Sequence, residues 1–262
     1  MDQVMKKQPI LTFENDGFRE TEDLVATEAA LTVHVNGEEF ATMVCTPAHL
    51  EDMVIGFLAS EGLIRLPADI DSLSVDKSKG FAYVTLKNKK ISSADFGTKR
   101  VIGSCCGKSR QFYFHNDMKT AKTITTSLTV TPEQCIGLMK KMQEGSSDFQ
   151  KTGGLHNTAL CSADEVLVSR SDIGRHNALD KIYGHGLVNR IGMKDKIIAF
   201  SGRISSEVLL KVSKIGCGIL LSKSAPTSLA IELAEDLGIT AIGFVRGSRF
   251  NVYAHHERVK QD

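Results

Sequence analysis

The chain has 262 residues, of which 42% are hydrophobic and 24% charged, with a net charge of +1. This is ordinary for a globular protein with a proper core, and it lacks the basic excess that recruits nucleic acid or an anionic membrane. Residues 1–8 are polar, and no apolar run approaches the ~20 residues of a membrane span, so a cytoplasmic protein without nucleic-acid or membrane partners is expected.

Leu31, Val33 and Val35 alternate with polar residues, Asn36-Gly37 follows, and a second apolar stretch covers 40–44. Asn-Gly supplies the positive φ angles of a tight hairpin turn, so this predicts a β-hairpin. Thr46-Pro47 predicts a helix start, with Thr as N-cap and Pro in the first helical position. Leu50, Val54, Phe57 and Leu58 form its buried stripe, and Gly62 suits its end. Residues 81–86 read as another strand. The polar stretch 87–100, with Lys87, Lys89 and Lys90, reads as a solvated loop near a domain boundary. Thr131-Pro132 repeats the capped helix start, and 145–154 reads as loop. An alternation then begins: strand 197–200, a helix from Ser205 or Ser206 to about Gly216, strand 218–221, a helix from Thr227 or Ser228 to Leu237-Gly238, and strand 239–245. Short links between strands and helices predict a mostly parallel sheet with right-handed crossovers. The expected organisation is a small β-rich domain with one helix over residues 1–100 and a larger α/β domain over 101–262.

Ligands of open parallel sheets bind beyond the carboxyl ends of the strands. The three loops there read Ser201-Gly202-Arg203, Ser222-Lys223-Ser224-Ala225-Pro226-Thr227 and Arg246-Gly247-Ser248-Arg249. Each offers small residues plus a cation, and two lead into helix N-termini, whose free N–H groups favour anions. A phosphate or pyrophosphate is the expected ligand of this rim, although neither GxxxxGK[ST] nor GxGxxG is present. A second polar cluster combines Thr152-Gly153-Gly154-Leu155-His156-Asn157 with the run 172–181, which contains Gly174-Arg175-His176-Asn177. His156 and His176 are candidate ligand or acid/base groups; two structural histidines beside a helix start capped by Asn177 are the competing reading.

Six cysteines are present. In a long chain without a signal peptide they read as free thiols rather than a disulfide framework. Cys45, Cys135, Cys161 and Cys217 lie among apolar residues and are expected in the core. Cys105 and Cys106 are different. They sit in Gly103-Ser104-Cys105-Cys106-Gly107-Lys108-Ser109-Arg110, where flanking glycines give access and Lys108 and Arg110 favour the thiolate. Such a thiolate can hold sulfur as a persulfide and pass it on. Without a CxxC there is no sequence anchor for a metal, and none is expected.

Together these motifs resemble the formate dehydrogenase accessory sulfurtransferases. The resemblance runs from Glu61-Gly62-Leu63-Ile64 towards the C-terminus and is strongest over 152–157, 172–183, 200–207 and 222–227. It implies a larger domain similar to the cytidine deaminase fold, three-layered and with a mostly parallel sheet, and a homodimer. It further implies that a cysteine desulfurase donates sulfur and that the recipient is the molybdenum cofactor, as bis(molybdopterin guanine dinucleotide), needed by formate dehydrogenase. No permanently bound cofactor is implied. The family's loop often reads Cys-Gly-x-Cys with the persulfide on the leading cysteine. Cys106-Gly107-Lys108 matches its start, so Cys106 is the implied persulfide carrier; Ser109 replaces the second cysteine, which leaves Cys105 as a candidate helper. Phe244, Val245, Arg246, Gly247, Ser248 and Arg249 match the cofactor-binding stretch, alongside Arg203, Lys223, His156 and His176. Two other readings compete: a non-catalytic cofactor-binding chaperone, and a zinc deaminase using His49-Leu50-Glu51 or His255-His256-Glu257. The second lacks the required P-C-x-x-C.

Overall fold

A computed structural model describes residues 4–89, 100–102, 120–146 and 151–261. Thirteen strands and five α-helices are found among them. Strands β1 (Met5–Glu14) and β2 (Gly17–Ala26) form a separate two-stranded hairpin. Its turn residues Asn15 and Asp16 both take positive φ, as a primed turn requires. The motif Asn-Asp-Gly is a weaker signal than Asn-Gly, so this hairpin is not among the expected elements.

A five-stranded sheet follows, in the order β5 (Ile70–Asp76), β6 (Phe81–Leu86), β3 (Ala29–Val35), β4 (Glu38–Cys45) and β7 (Arg100–Ile102). The expected hairpin is β3–β4, with Asn36 and Gly37 at positive φ. Helix α1 (Leu50–Ser60) carries the expected stripe, but it starts three residues later than Thr46-Pro47 implied. Thr46 is otherwise engaged: its N–H donates to Asp172 Oδ2 (3.0 Å) and its hydroxyl accepts from Ile173 N–H (3.1 Å).

The second sheet has six strands in the order β13 (Arg249–Ala254), β12 (Thr240–Arg246), β11 (Ile219–Ser222), β10 (Ile197–Phe200), β8 (His156–Cys161) and β9 (Val166–Asp172). Only β10–β11 and β11–β12 pair in parallel, while β8–β10, β8–β9 and β12–β13 are antiparallel. The expectation of a mostly parallel sheet is therefore corrected: the sheet is mixed. The β–α–β–α–β alternation seen in the sequence builds its centre, and β8, β9 and β13 extend it by antiparallel pairing that needs no crossover.

Four helices connect these strands: α2 (Pro132–Glu144), α3 (Arg175–Val188), α4 (Ser206–Ile215) and α5 (Ser228–Leu237). Thr131 closes a capping box on α2, and Ser205 caps α4. Alternate strand residues face two apolar clusters. Leu160, Ile198, Phe200 and Leu220 point to the cluster shared with α1, α3, α4, α5 and the five-stranded sheet. Ala159, Ile197, Ala199 and Ile242 point to a smaller one under α2. Strands buried on both faces read as continuous apolar runs, which is why 197–200 and 218–221 stood out.

Helices α1 and α3 cross backbone to backbone. A Cβ on Gly56 would lie 1.9 Å from the Asp180 carbonyl oxygen, and one on Gly184 would lie 1.8 Å from that of Asp52. Beside this crossing, Asp180 accepts from Ser60 Oγ (2.8 Å) and from the buried Lys211 Nζ (2.5 Å). The apolar cluster thus runs without a break from the β3–β7 sheet into the second sheet.

Candidate functional site

The carboxyl ends of β10, β11 and β12 lie side by side, so the three loops that follow them share one rim. Because β8 is antiparallel to β10, its first residues reach the same rim, and β9 ends there. His156, Asp172 and the start of α3 therefore join the loops.

Hydrogen bonds stitch the loops together. The buried Ser222 hydroxyl donates to Gly202 O (2.6 Å) and accepts from Ser224 N–H (3.0 Å). Ser224 Oγ donates to Ser201 O (3.1 Å), and Lys223 N–H to Phe200 O (3.1 Å). Arg246 Nε donates to Lys223 O (2.8 Å), and its guanidinium lies over the Phe244 ring, 5.4 Å from the centroid. Phe244 holds φ 53° at an irregularity between Gly243 and Arg246. That conformation costs an ordinary residue ~1–2 kcal/mol and persists because Phe244 N–H is fixed to Ser224 O (3.2 Å). The serines of these loops thus act as structural fasteners, and the cations are left at the surface: Arg203, Arg246 and Arg249 are exposed and Lys223 is half-buried. None of the four has a carboxylate partner among the described residues.

The rim has an α3–α4 side and an α2 side. His156 alternates in step with Leu160 and so faces the α3–α4 side, where a Cβ on Gly202 would come within 3.4 Å of His156 Nδ1. Burial first, and then Arg175, hold the His156 pKa below its ordinary value, against an opposing pull from Asp172. His156 is therefore a neutral imidazole near neutral pH. Arg175 Nε is buried and has no hydrogen-bond partner among the described residues. His176 Nε2 lies 3.1 Å from Glu207 Oε2 on α4. Lys223 and Arg246 line a cleft on the opposite, α2 side of the sheet.

The run 172–181 resolves into structure more than into ligand binding. The Asp172 carboxylate is fully buried and accepts from Lys181 Nζ (2.6 Å), Thr46 N–H (3.0 Å), Gly174 N–H (2.8 Å) and Asn177 Nδ2 (3.0 Å). Asn177 also donates to Val44 O (2.9 Å). The expected cap at Asn177 is thereby corrected: the N-cap of α3 is Gly174, and Asn177 sits inside the helix, tying it to the end of β4.

Cys105 and Cys106 lie outside the described residues. Cys45, Cys135, Cys161 and Cys217 are all buried free thiols, as their apolar surroundings implied. Burial pushes the first three up to about 12, and Cys217 up as well. Buried protonated thiols are poor nucleophiles.

The model of the FdhD/NarQ family matches residues 26–260. The chain belongs to this family. It is 60% identical to the sulfur carrier protein FdhD of Geobacillus kaustophilus over 97% of both chains, and 55% identical to that of Bacillus subtilis over 99% of both. A solved structure from Desulfotalea psychrophila, named as a formate dehydrogenase accessory protein, superposes with a TM-score of 0.80 at 23% identity, covering 98% of this chain and 100% of that one.

Within this family fold the deaminase-like triplets have other uses. His49 sits at the start of α1 with φ 52°, and His255 lies between Glu235 (3.6 Å) and Glu257 (3.2 Å). Among the described residues no group of three His, Cys, Asp or Glu side chains is placed to hold a metal, and no helix is long and apolar enough to cross a membrane. Arg175 and the Asp172–Lys181 pair lie inside the run 172–181, but no local signal sets them apart there, since their roles depend on burial and on Thr46. The α2 wall of the cleft is likewise silent in the sequence, where only the capped start at Thr131-Pro132 marks that helix.

Proposed function

We propose that the protein is a sulfur carrier that holds sulfur as a persulfide on Cys106. The observation that carries this reading is the state of the other thiols. Of six cysteines, four are buried and held protonated, so nucleophilic sulfur chemistry falls to Cys105 and Cys106. In the loading step, the Cys106 thiolate attacks the terminal sulfur of a persulfide on a cysteine desulfurase. A new S–S bond forms on Cys106, the donor's S–S bond breaks, and the donor cysteine leaves as a thiolate. The relatives named as sulfur carrier proteins support this role, and the flanking Lys108 and Arg110 favour the thiolate. Cys105, next in the chain, is the candidate helper.

The recipient in this reading is the molybdenum cofactor, as bis(molybdopterin guanine dinucleotide), destined for formate dehydrogenase. Its pyrophosphates suit a rim carrying Arg203, Lys223, Arg246 and Arg249, and the neutral His156 can accept or donate a hydrogen bond there. The protein acts in the cytoplasm, as a homodimer. Replacing the chromosomal copy with Cys106→Ala tests the assignment. Formate dehydrogenase should assemble but remain inactive, with activity restored by the parent chain. Full activity with Cys106→Ala would favour a cofactor-holding chaperone instead.

A further inference from the structure

We propose that His185, Arg170, Asp52 and His49 form a proton-operated clasp at the junction of α3, β9 and α1, closed while both imidazoles are neutral and released when they take up protons. Arg170 Nη2 lies 2.9 Å from His185 Nδ1. A guanidinium carries donors and no acceptor, so Nδ1 accepts, the ring proton sits on Nε2 and His185 is neutral. Asn189 Nδ2, which donates to His185 O (2.8 Å), is a second donor, 3.3 Å from the same Nδ1. Arg170 also donates through Nε (3.2 Å) and Nη2 (2.9 Å) to Asp52 Oδ2, and His185 Nδ1 lies 3.6 Å from that oxygen. Among the described residues, the charged and titratable groups facing His185 are thus Asp52 and His49 from α1 and Arg170 from β9.

A proton on Nδ1 turns this acceptor into a donor. The contact with Arg170 is then lost, and an imidazolium stands beside a guanidinium. Both compete for Asp52 Oδ2. The His185 side chain is 24% exposed, so solvent protons reach it. His49 adds to the effect. Burial first, then Arg170 and Lys181, hold its pKa below the ordinary value, so it is neutral in the closed clasp and adds a further positive charge in acid. The clasp has leverage because Asn177, Lys181 and His185 recur every four residues and form one stripe on α3. Asn177 and Lys181 bind Asp172 at the end of β9, and His185 binds Arg170 two positions earlier on that strand. Of these three residue types, histidine alone converts an acceptor into a donor on protonation. Release of His185 therefore frees the C-terminal half of α3 from β9 and α1, at the end of the helix remote from the rim.

Hydrogen exchange of the full chain, read by mass spectrometry of peptides at pH 7.5 and pH 5.5 and corrected for the intrinsic change in rate, tests it. In the parent, peptides covering β9 and residues 181–188 should open roughly tenfold more often at pH 5.5, while those covering α4 and α5 change little. His185→Gln presents an amide oxygen that accepts from Arg170 at either pH, so its opening should be the same at both. His49→Gln should retain a smaller acid effect, since one of the two protons remains. Nitrogen spectra of the isotope-labelled parent give a check that needs no variant: at pH 7.5 the His185 ring proton should be on Nε2. An equal acid effect in His185→Gln overturns the proposal. So does a parent whose β9 and α3 peptides exchange alike at both pH values, or a His185 that carries its proton on Nδ1 at pH 7.5. The clasp uses none of the cysteines, so its failure leaves the sulfur-carrier reading untouched.

Discussion

Replacing Asp172 with alanine should be among the most destabilising single changes in the chain. Its carboxylate and the Lys181 ammonium are both fully buried, 2.6 Å apart. Among the described residues, removing Asp172 leaves that ammonium with only the carbonyls of Thr46 and Ser171, each at 3.1 Å. It also strands the N–H groups of Thr46 and Gly174 and one Asn177 donor. Breaking a buried pair from one side costs ~3–5 kcal/mol. At ~2–4 °C per kcal/mol for a chain of about this size, the melting temperature should fall by about 6–20 °C. The double variant Asp172→Ala/Lys181→Met removes the uncompensated charge and should recover a large share of the loss. Thermal and urea unfolding of the single and double variants measure both effects. A drop below about 2 °C for Asp172→Ala, or strict additivity in the double variant, would refute the claim that the pair is one electrostatic unit.

Gly184→Ala places a methyl group where only 1.8 Å separates it from the Asp52 carbonyl oxygen. It should force α1 and α3 apart, cost at least ~1–3 kcal/mol, and lower the urea midpoint; an unchanged midpoint would contradict the close crossing. At pH 8 a thiol with a pKa of about 12 is thiolate in only about one molecule in ten thousand. Native protein treated briefly with iodoacetamide should therefore take up at most two labels, the six cysteines less the four buried ones, while unfolded protein takes all six. A third label on the native protein would mean that the core thiols are accessible. The lowered pKa values of His156 and His49 mean that the unfolded chain binds those protons more readily than the folded one. Their contribution to stability is complete above about pH 6.5 and is lost as pH falls through the folded values. Urea unfolding should show stability declining from pH 7 to pH 5, with a shallower decline in His156→Gln; a parallel decline would reject the role of His156.

The parts of the molecule legible in the sequence are those governed by local signals. Asn36-Gly37 marked the β3–β4 turn, Thr131-Pro132 the start of α2, and the apolar runs at 197–200 and 218–221 the sheet centre. The three rim loops were visible as well, because small residues with a cation recur after each central strand. What the sequence concealed depends on contacts between distant positions. Thr46 looks like an N-cap until Asp172, 126 residues away, claims its N–H. Asn177 looks like a cap until Val44 O and Asp172 take its amide. The mixed sheet escaped notice because β8 and β9 join by antiparallel pairing, which leaves no helix-length spacer to count. The division of the rim into an α2 side and an α3–α4 side is likewise a matter of strand parity, and it emerges only once the register of β8 against β10 is fixed.

The central claim is that Cys106 carries sulfur. The direct test is mass spectrometry of the full chain after incubation with a cysteine desulfurase and cysteine, followed by peptide mapping without reductant. One additional sulfur on the peptide containing Cys106, absent from Cys106→Ala and released by a thiol reductant, is the predicted result. Sulfur on any of the four buried cysteines, or undiminished loading of Cys106→Ala, would contradict it.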